Sequence, residues 1–406
     1  MHISSDINIE DYNYNLAEEK IAAFPVEKRD ESKLLIWKNK LIKEDKFKNL
    51  IHYLPSDSLM VFNNTKVIQA RMKFHKESGA AIEIFCLEPI KPKEIAQALS
   101  SQKEVFWNCL VGNAKKWKQG ELTKTIEVKN KTIHLSITNE GQIDNSFQIK
   151  FTWDNSDVCF GEILDSFGKT PLPPYIKRES TTSDKERYQC VYAKTQGSVA
   201  APTAGLHYTT DSLSNLQSKN IKTEEIILHV GAGTFRPVKT EEFSKHIMHT
   251  EKVVVSRKLI NSLLQAKQRN KKIISVGTTT MRTLESIYWH GVKILNENAT
   301  ESIDIKQWEA YQLPQSHSLE ESLEAILNTH KTDFISGQTQ LIIAPGYKIR
   351  VVDILNTNFH QPKSTLLLLV AALICNDWKN VYDYALNNDF RFLSYGDSCL
   401  FFKENS

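Results

Sequence analysis

The sequence predicts an α/β protein that carries a separate antiparallel β unit. Three observations lead there. From residue 220 onward, strand-like runs at 225–230, 252–256, 272–277 and 340–344 alternate with helical patterns at 257–269, 280–290, 318–330 and 364–376, the rhythm of an α/β architecture. From about 80 to 155, short β-rich runs (AIEIFC at 81–86, VFWNCLV at 105–111, TIEV at 125–128, TIHLSI at 132–137) are separated by Gly, Asn and Lys turns, the spacing of an antiparallel barrel or sandwich. Between them, TPLPPY at 170–175 imposes an extended path that no helix can follow, as expected where a chain leaves one domain for another.

Taken in order, the run LMVF at 59–62 ends at Asn63 and Asn64 and predicts a buried strand emptying into a turn. In 257–269, Leu259, Ile260, Leu263 and Leu264 fall at helical spacing and define one buried face. The charged stretch 88–104 and the polar stretch 291–317 are expected as peripheral elaborations.

Composition narrows the class. The 406 residues are 41% hydrophobic and 24% charged, with 15 Gly and 12 Pro, the balance of a folded protein of two or three domains. Lys plus Arg number 51 against 48 acidic residues, a net charge of +3, so a polyanionic partner would have to be held by local basic patches. The 6 cysteines show no CxxC pair or Cys/His ligand spacing, which speaks against structural zinc or a disulfide framework. No signal or transit pattern opens the chain. The apolar run 366–375 falls short of the roughly 20 residues a membrane span takes. The expectation is a cytoplasmic protein.

Several segments could carry chemistry, each with a plain structural alternative. After the run 225–230 comes HVGAGTFRP at 229–237; its paired glycines allow backbone N–H groups close to an anion or a sugar, or simply make a tight turn. The Rossmann fingerprint is not met, because Arg236 stands where its third Gly belongs. The small-residue segment 197–208 contains Thr203 and Gly205 and ends at His207, suited to proton transfer near neutral pH or to packing alone. His246 and His249 share a helical face but lack a third ligand. Thr278 and Thr279 open a helix, where free N–H groups favour a carboxylate and where a threonine could also serve as cap. Lys363 precedes another helix, where a cation gains nothing from the dipole, which favours a ligand role. Asp397, set by a glycine turn, could grip a cation or sugar hydroxyls, or close an Asx turn. Lys115, Lys116 and Lys118 interleave with Trp117, a pattern for phosphate contact and base stacking or for plain solvated surface.

Nine blocks in one order resemble a known family: DSLMVFNNTKVIQAR at 57–71, PLPPYI at 171–176, ERYQ at 186–189, APTAGLH at 201–207, LHVGAGTF at 228–235, HIMH at 246–249, VGTTT at 276–280, TNFHQPKSTL at 357–366 and YGD at 395–397. Together they resemble the S-adenosylmethionine:tRNA ribosyltransferase-isomerases of queuosine biosynthesis. The resemblance implies a mixed-sheet α/β domain formed by 1–75 and 156–406, with an antiparallel β-barrel domain inserted at 76–155. It implies transfer and isomerisation of the ribosyl moiety of S-adenosylmethionine onto 7-aminomethyl-7-deazaguanine at the tRNA wobble position, with epoxyqueuosine-tRNA, adenine and methionine as products. S-adenosylmethionine is then a co-substrate, no cofactor or metal is required, and tRNA is the partner of a monomer that avoids membranes.

On that resemblance His207 and His229 are the expected acid/base groups. Thr203, Gly205, Gly231, Gly233 and Thr234 would meet the co-substrate's sugar or methionine portion. Thr278 and Thr279 with Lys363 would meet its carboxylate, and Asp397 its sulfonium or ribose. Lys115, Lys116, Trp117, Lys118 and Arg236 would contact RNA. Three positions depart from the family pattern: Asn64 stands where Asp is usual, Lys66 where Arg is usual and Gln69 where Pro is usual. A divergent member with another nucleoside acceptor, or an RNA-binding protein on the same scaffold without catalysis, is the alternative.

Overall fold

Leu59–Asn63 is buried at every position, as befits a strand covered on both faces. Its side chains alternate between two cores: Leu59 and Val61 join one apolar cluster, Met60 and Phe62 another. Around it the computed structural model, which describes residues 7–117, 120–231, 247–296 and 301–404, builds a ten-stranded mixed sheet. Its order is Ile303–Ile305, Phe334–Thr339, Glu251–Ser256, Lys222–Leu228, Leu59–Asn63, Ile273–Val276, Ile354–Asn358, Ser398–Phe402, Lys33–Lys38 and Leu41–Lys46. The four central strands, Lys222–Leu228 through Ile354–Asn358, run parallel; antiparallel pairings flank them on both sides.

Helices Arg257–Gln268, Thr278–Leu295 and Leu319–Thr329 cover one face. Ser256 and Ser318 cap the first and last by accepting N–H groups of Leu259 and Glu321. The apolar helix Thr365–Ile374, capped by Ser364, is buried in the same core. Among the described residues no helix is long and apolar enough to cross a membrane.

The second unit is a six-stranded antiparallel sheet ordered Arg71–His75, Ala81–Lys91, Glu104–Gly112, Ser146–Trp153, Lys131–Ile143 and Leu122–Val128. Its end strands approach one another, giving a barrel-like body. Buried and more exposed residues alternate along much of these strands, as at Ile82, Ile84 and Cys86 and at Ile149, Phe151 and Trp153. Helix Phe160–Phe167 closes it: Phe160 stacks or tilts against Trp107, Phe151 and Trp153 at 4.9–6.0 Å between ring centroids. The sheet also takes in Arg71–His75, where Met72 and Phe74 face its core, so β structure begins before residue 76.

Two expectations change. The run 340–344 is not a strand; the strand is Phe334–Thr339, paired with Glu251–Ser256, and Leu341–Ala344 follow as buried coil. An apolar run signals burial, and only ladder hydrogen bonds make it a strand. The stretch 291–317 is not wholly peripheral, since it completes the long helix with buried Val292 and Lys293 and supplies the sheet's edge strand Ile303–Ile305.

Candidate active site

The parallel strands all deliver their C-terminal ends to one place, where open α/β sheets form ligand crevices. There lies a cleft, partly open to solvent. Val230 follows Lys222–Leu228, Gly277 to Thr279 follow Ile273–Val276, Thr357 lies near the end of Ile354–Asn358, and Phe359 to Gln361 follow that strand. Thr203 and Ala204 come from the short 3-10 turn Thr203–His207, and Tyr175, Leu393 and Ser394 complete the wall.

Gly277 makes the helix opening possible. It adopts φ 92°, a conformation costly for residues with a Cβ, while its N–H donates to Asn356 O at 2.8 Å. It is also the N-cap of Thr278–Leu295, and no side chain caps that helix. The expected threonine cap is therefore absent, and the first-turn amides at Thr278 and Thr279 retain their donors for a ligand. Both threonines line the cleft.

The other expected residues fall differently. His207 does not line this cleft; it is 4% exposed, with Nδ1 2.7 Å from Ser32 Oγ and Nε2 3.1 Å from Asn358 Nδ2. Burial, reinforced by the Arg391 charge, pushes its pKa down to about 3. His229 lies over Gly197, beside Ile95 of the barrel unit, with Nδ1 buried and unpartnered; burial and then Lys252 lower its pKa. Gly205 is a close-packing position, since a Cβ there would sit 2.0 Å from Tyr192 Oη. Gly231 has open space where a Cβ would stand.

Lys363 takes φ 54° and pairs with Glu10 at 2.7 Å, so the ammonium expected to face a ligand already has a carboxylate. Asp397 is a correction. It is 2% exposed, and its oxygens accept the backbone N–H groups of Lys33 and Arg391 at 2.9 and 2.7 Å; it fastens the C-terminal turn to Lys33–Lys38 rather than presenting a carboxylate. Trp117 is corrected likewise: it is 1% exposed, with its indole N–H donating to Gly120 O at 3.0 Å, so no ring is offered for stacking. Lys115 and Lys116 are exposed. Lys118, Gly233, Thr234, Arg236 and His246 lie outside the described residues.

The departures from the family pattern acquire partners. Asn64 Nδ2 donates to Glu225 at 2.8 Å, and Gln69 accepts from Thr170 Oγ1 at 2.8 Å. Lys66 is exposed in a separate groove beside Gln69 and Gln196.

Sequence reasoning missed His360, Gln361, Tyr175 and Ser394 as wall residues. Tyr175 Oη and Ser394 Oγ are 2.6 Å apart, and burial raises the tyrosine's pKa. The available signal for His360 and Gln361 was their place directly beyond a central strand.

The model of the family described as "Queuosine biosynthesis protein" matches residues 9–401. An S-adenosylmethionine:tRNA ribosyltransferase-isomerase of Rickettsia bellii is 36% identical over 403 residues, covering 98% of this chain and 100% of the relative. One from Finegoldia magna is 37% identical over 395 residues, covering 97% of each. A solved S-adenosylmethionine tRNA ribosyltransferase from Thermotoga maritima aligns over 96% of this chain and 99% of its own at 28% identity, with a TM-score of 0.47, too loose a superposition to carry its domain arrangement across. The chain belongs to the queuosine biosynthesis protein family.

Proposed function

We propose that this chain moves the ribosyl group of S-adenosylmethionine to a tRNA nucleoside and isomerises it, with 7-aminomethyl-7-deazaguanine at the wobble position as acceptor and adenine and methionine as leaving products. The full-length match to relatives that bear this activity in their names carries the reading. The cleft's chemistry supports it. Phe359, Leu366, Leu393 and Tyr175 offer apolar surface for a nucleoside, and the open amides at Thr278 and Thr279 suit the methionine carboxylate.

Such a reaction is proton transfer throughout. The sulfonium acidifies the adjoining ribose carbon, so a base must take that proton; the departing purine must gain one, and the attacking amine must be neutral. In this reading His207 positions: through Asn358 it steadies the strand end that carries Thr357 and His360. The exposed Lys115 and Lys116 contribute phosphate contacts. The same reading takes the chain as a cytoplasmic monomer that works with its co-substrate and needs no further cofactor.

The test is incubation with S-adenosylmethionine and tRNA bearing the aminomethyl-deazaguanine, followed by chromatography. Free adenine is expected. Accumulation of S-adenosylhomocysteine would mean methyl transfer and would end the proposal.

A further inference from the structure

Among the described residues, the cleft wall offers two titratable side chains, Tyr175 and His360. The phenol is held against Ser394 Oγ, and burial keeps it protonated. His360 is 8% exposed and fixed from several sides. Its N–H donates to Tyr382 Oη at 3.1 Å, its carbonyl accepts from Tyr14 Oη, and its Nε2 lies 3.1 Å from Thr357 Oγ1. Nδ1 makes no hydrogen bond with the described residues. His207, by contrast, has both ring nitrogens engaged away from the cleft.

We infer that His360 is the proton-transfer residue of this site, taking a proton from the ribose carbon beside the sulfonium and returning it to the departing purine. The inference rests on the proposed ribosyl transfer and names the residue that serves it. With Nε2–H donating to Thr357, Nδ1 presents a lone pair to the cleft; once Nδ1 is protonated, the Thr357 contact is unchanged, so one partner supports both states. The C–H electron pair stays on carbon next to the sulfonium while the proton moves to Nδ1. That pair then forms a double bond to the neighbouring ring carbon as the ring C–O bond breaks, the ring oxygen's pair forms a carbonyl at the anomeric carbon as the glycosidic bond breaks, and that bond's pair leaves on the purine nitrogen, which takes the proton from Nδ1 so that the imidazole is neutral again. Burial pushes the pKa of His360 down to about 3, so the free protein holds the ring neutral.

The test compares wild-type full-length protein with His360→Ala, using adenine release with the modified tRNA and, separately, S-adenosylmethionine binding without tRNA. Wild type is expected to release adenine; if it does not, the ribosyl-transfer reading fails and this inference falls with it. His360→Ala is expected to lose at least about 100-fold in kcat, to bind S-adenosylmethionine as wild type does, and to recover at least about tenfold with added imidazole. Wild-type kcat in the folded variant, a loss confined to KM, or a loss that imidazole does not relieve would each overturn the assignment while leaving the overall reaction standing. Should His360→Ala fail to fold, Thr357→Val removes only the hydroxyl partner; a kcat drop of about tenfold is expected, and an unchanged kcat overturns the inference.

Discussion

The carboxylate of Glu285, fully enclosed in the core, accepts the backbone N–H of Val351 at 2.8 Å. The same side chain accepts from the N–H groups of Arg350 and Val352 at 2.9 and 3.2 Å and from Tyr347 Oη at 2.9 Å. One helix, Thr278–Leu295, thus fixes the loop that feeds strand Ile354–Asn358, and both elements end in the cleft. Replacing Glu285 by Ala strands four donors, three of them on buried residues. A loss of at least about 3 kcal/mol is expected, measured by urea unfolding; a loss below about 1 kcal/mol would mean that the loop holds itself.

Buried neutral histidines predict acid sensitivity. The pKa of His207 and of His360 is pushed down to about 3 and that of His290 to about 4, in each case chiefly by burial. The unfolded chain titrates these groups near 6.5, so below that pH it binds more protons than the folded chain. Their contribution is therefore present above 6.5 and lost as pH falls toward the folded values. By pH 5 the loss is up to about 2 kcal/mol per imidazole. Urea midpoints should fall steadily from pH 7 to pH 5, with a shallower fall in His207→Asn; midpoints independent of pH over that range would contradict the burial of neutral rings.

Gly168 follows helix Phe160–Phe167 and precedes Lys169, which bridges back to Arg71. A Cβ there would sit 1.9 Å from Gln69 O and 2.5 Å from Leu164 O, both backbone atoms. Gly168→Ala should force the helix end away from Gln69 and lower the melting temperature by several degrees, as overpacking of about 1–3 kcal/mol would. Hydrogen exchange should accelerate at residues 160–168. An unaltered melt would show that the close approach relaxes freely.

Much of the architecture was legible because it is local. The apolar runs at 59–62 and 272–277 and the short β-rich runs between 81 and 137 depend on near neighbours. The site was less so, because its assignments depend on distant partners. Ser32 and Asn358 reach His207 from 175 and 151 residues away and withdraw it from the cleft. Glu10 meets Lys363, and Lys33 with Arg391 encloses Asp397. Trp117 looked like a stacking ring because lysines surround it, yet folding directs the indole inward. His360 gave no local signal beyond its position after a strand.

The carboxylate assignment has its own test. Thr278 is the first residue of its helix, after a glycine, a position that tolerates proline. Thr278→Pro removes one amide donor while keeping the helix. Losing one charge-assisted hydrogen bond of about 1.5 kcal/mol should raise the KM for S-adenosylmethionine roughly tenfold and leave kcat nearly unchanged. Thr278→Ala, which retains the amide, should behave as wild type; equal effects in both variants would shift the contact to the hydroxyl.

The most direct measurement is a crystal structure of the chain with S-adenosylmethionine bound. The account predicts the nucleoside in the cleft between Thr203, Gly277 and His360, with its carboxylate at the Thr278 and Thr279 amides and its ribose carbon within reach of His360 Nδ1. A molecule seated instead in the groove beside Lys66 and Gln196, with the first cleft empty, would contradict it.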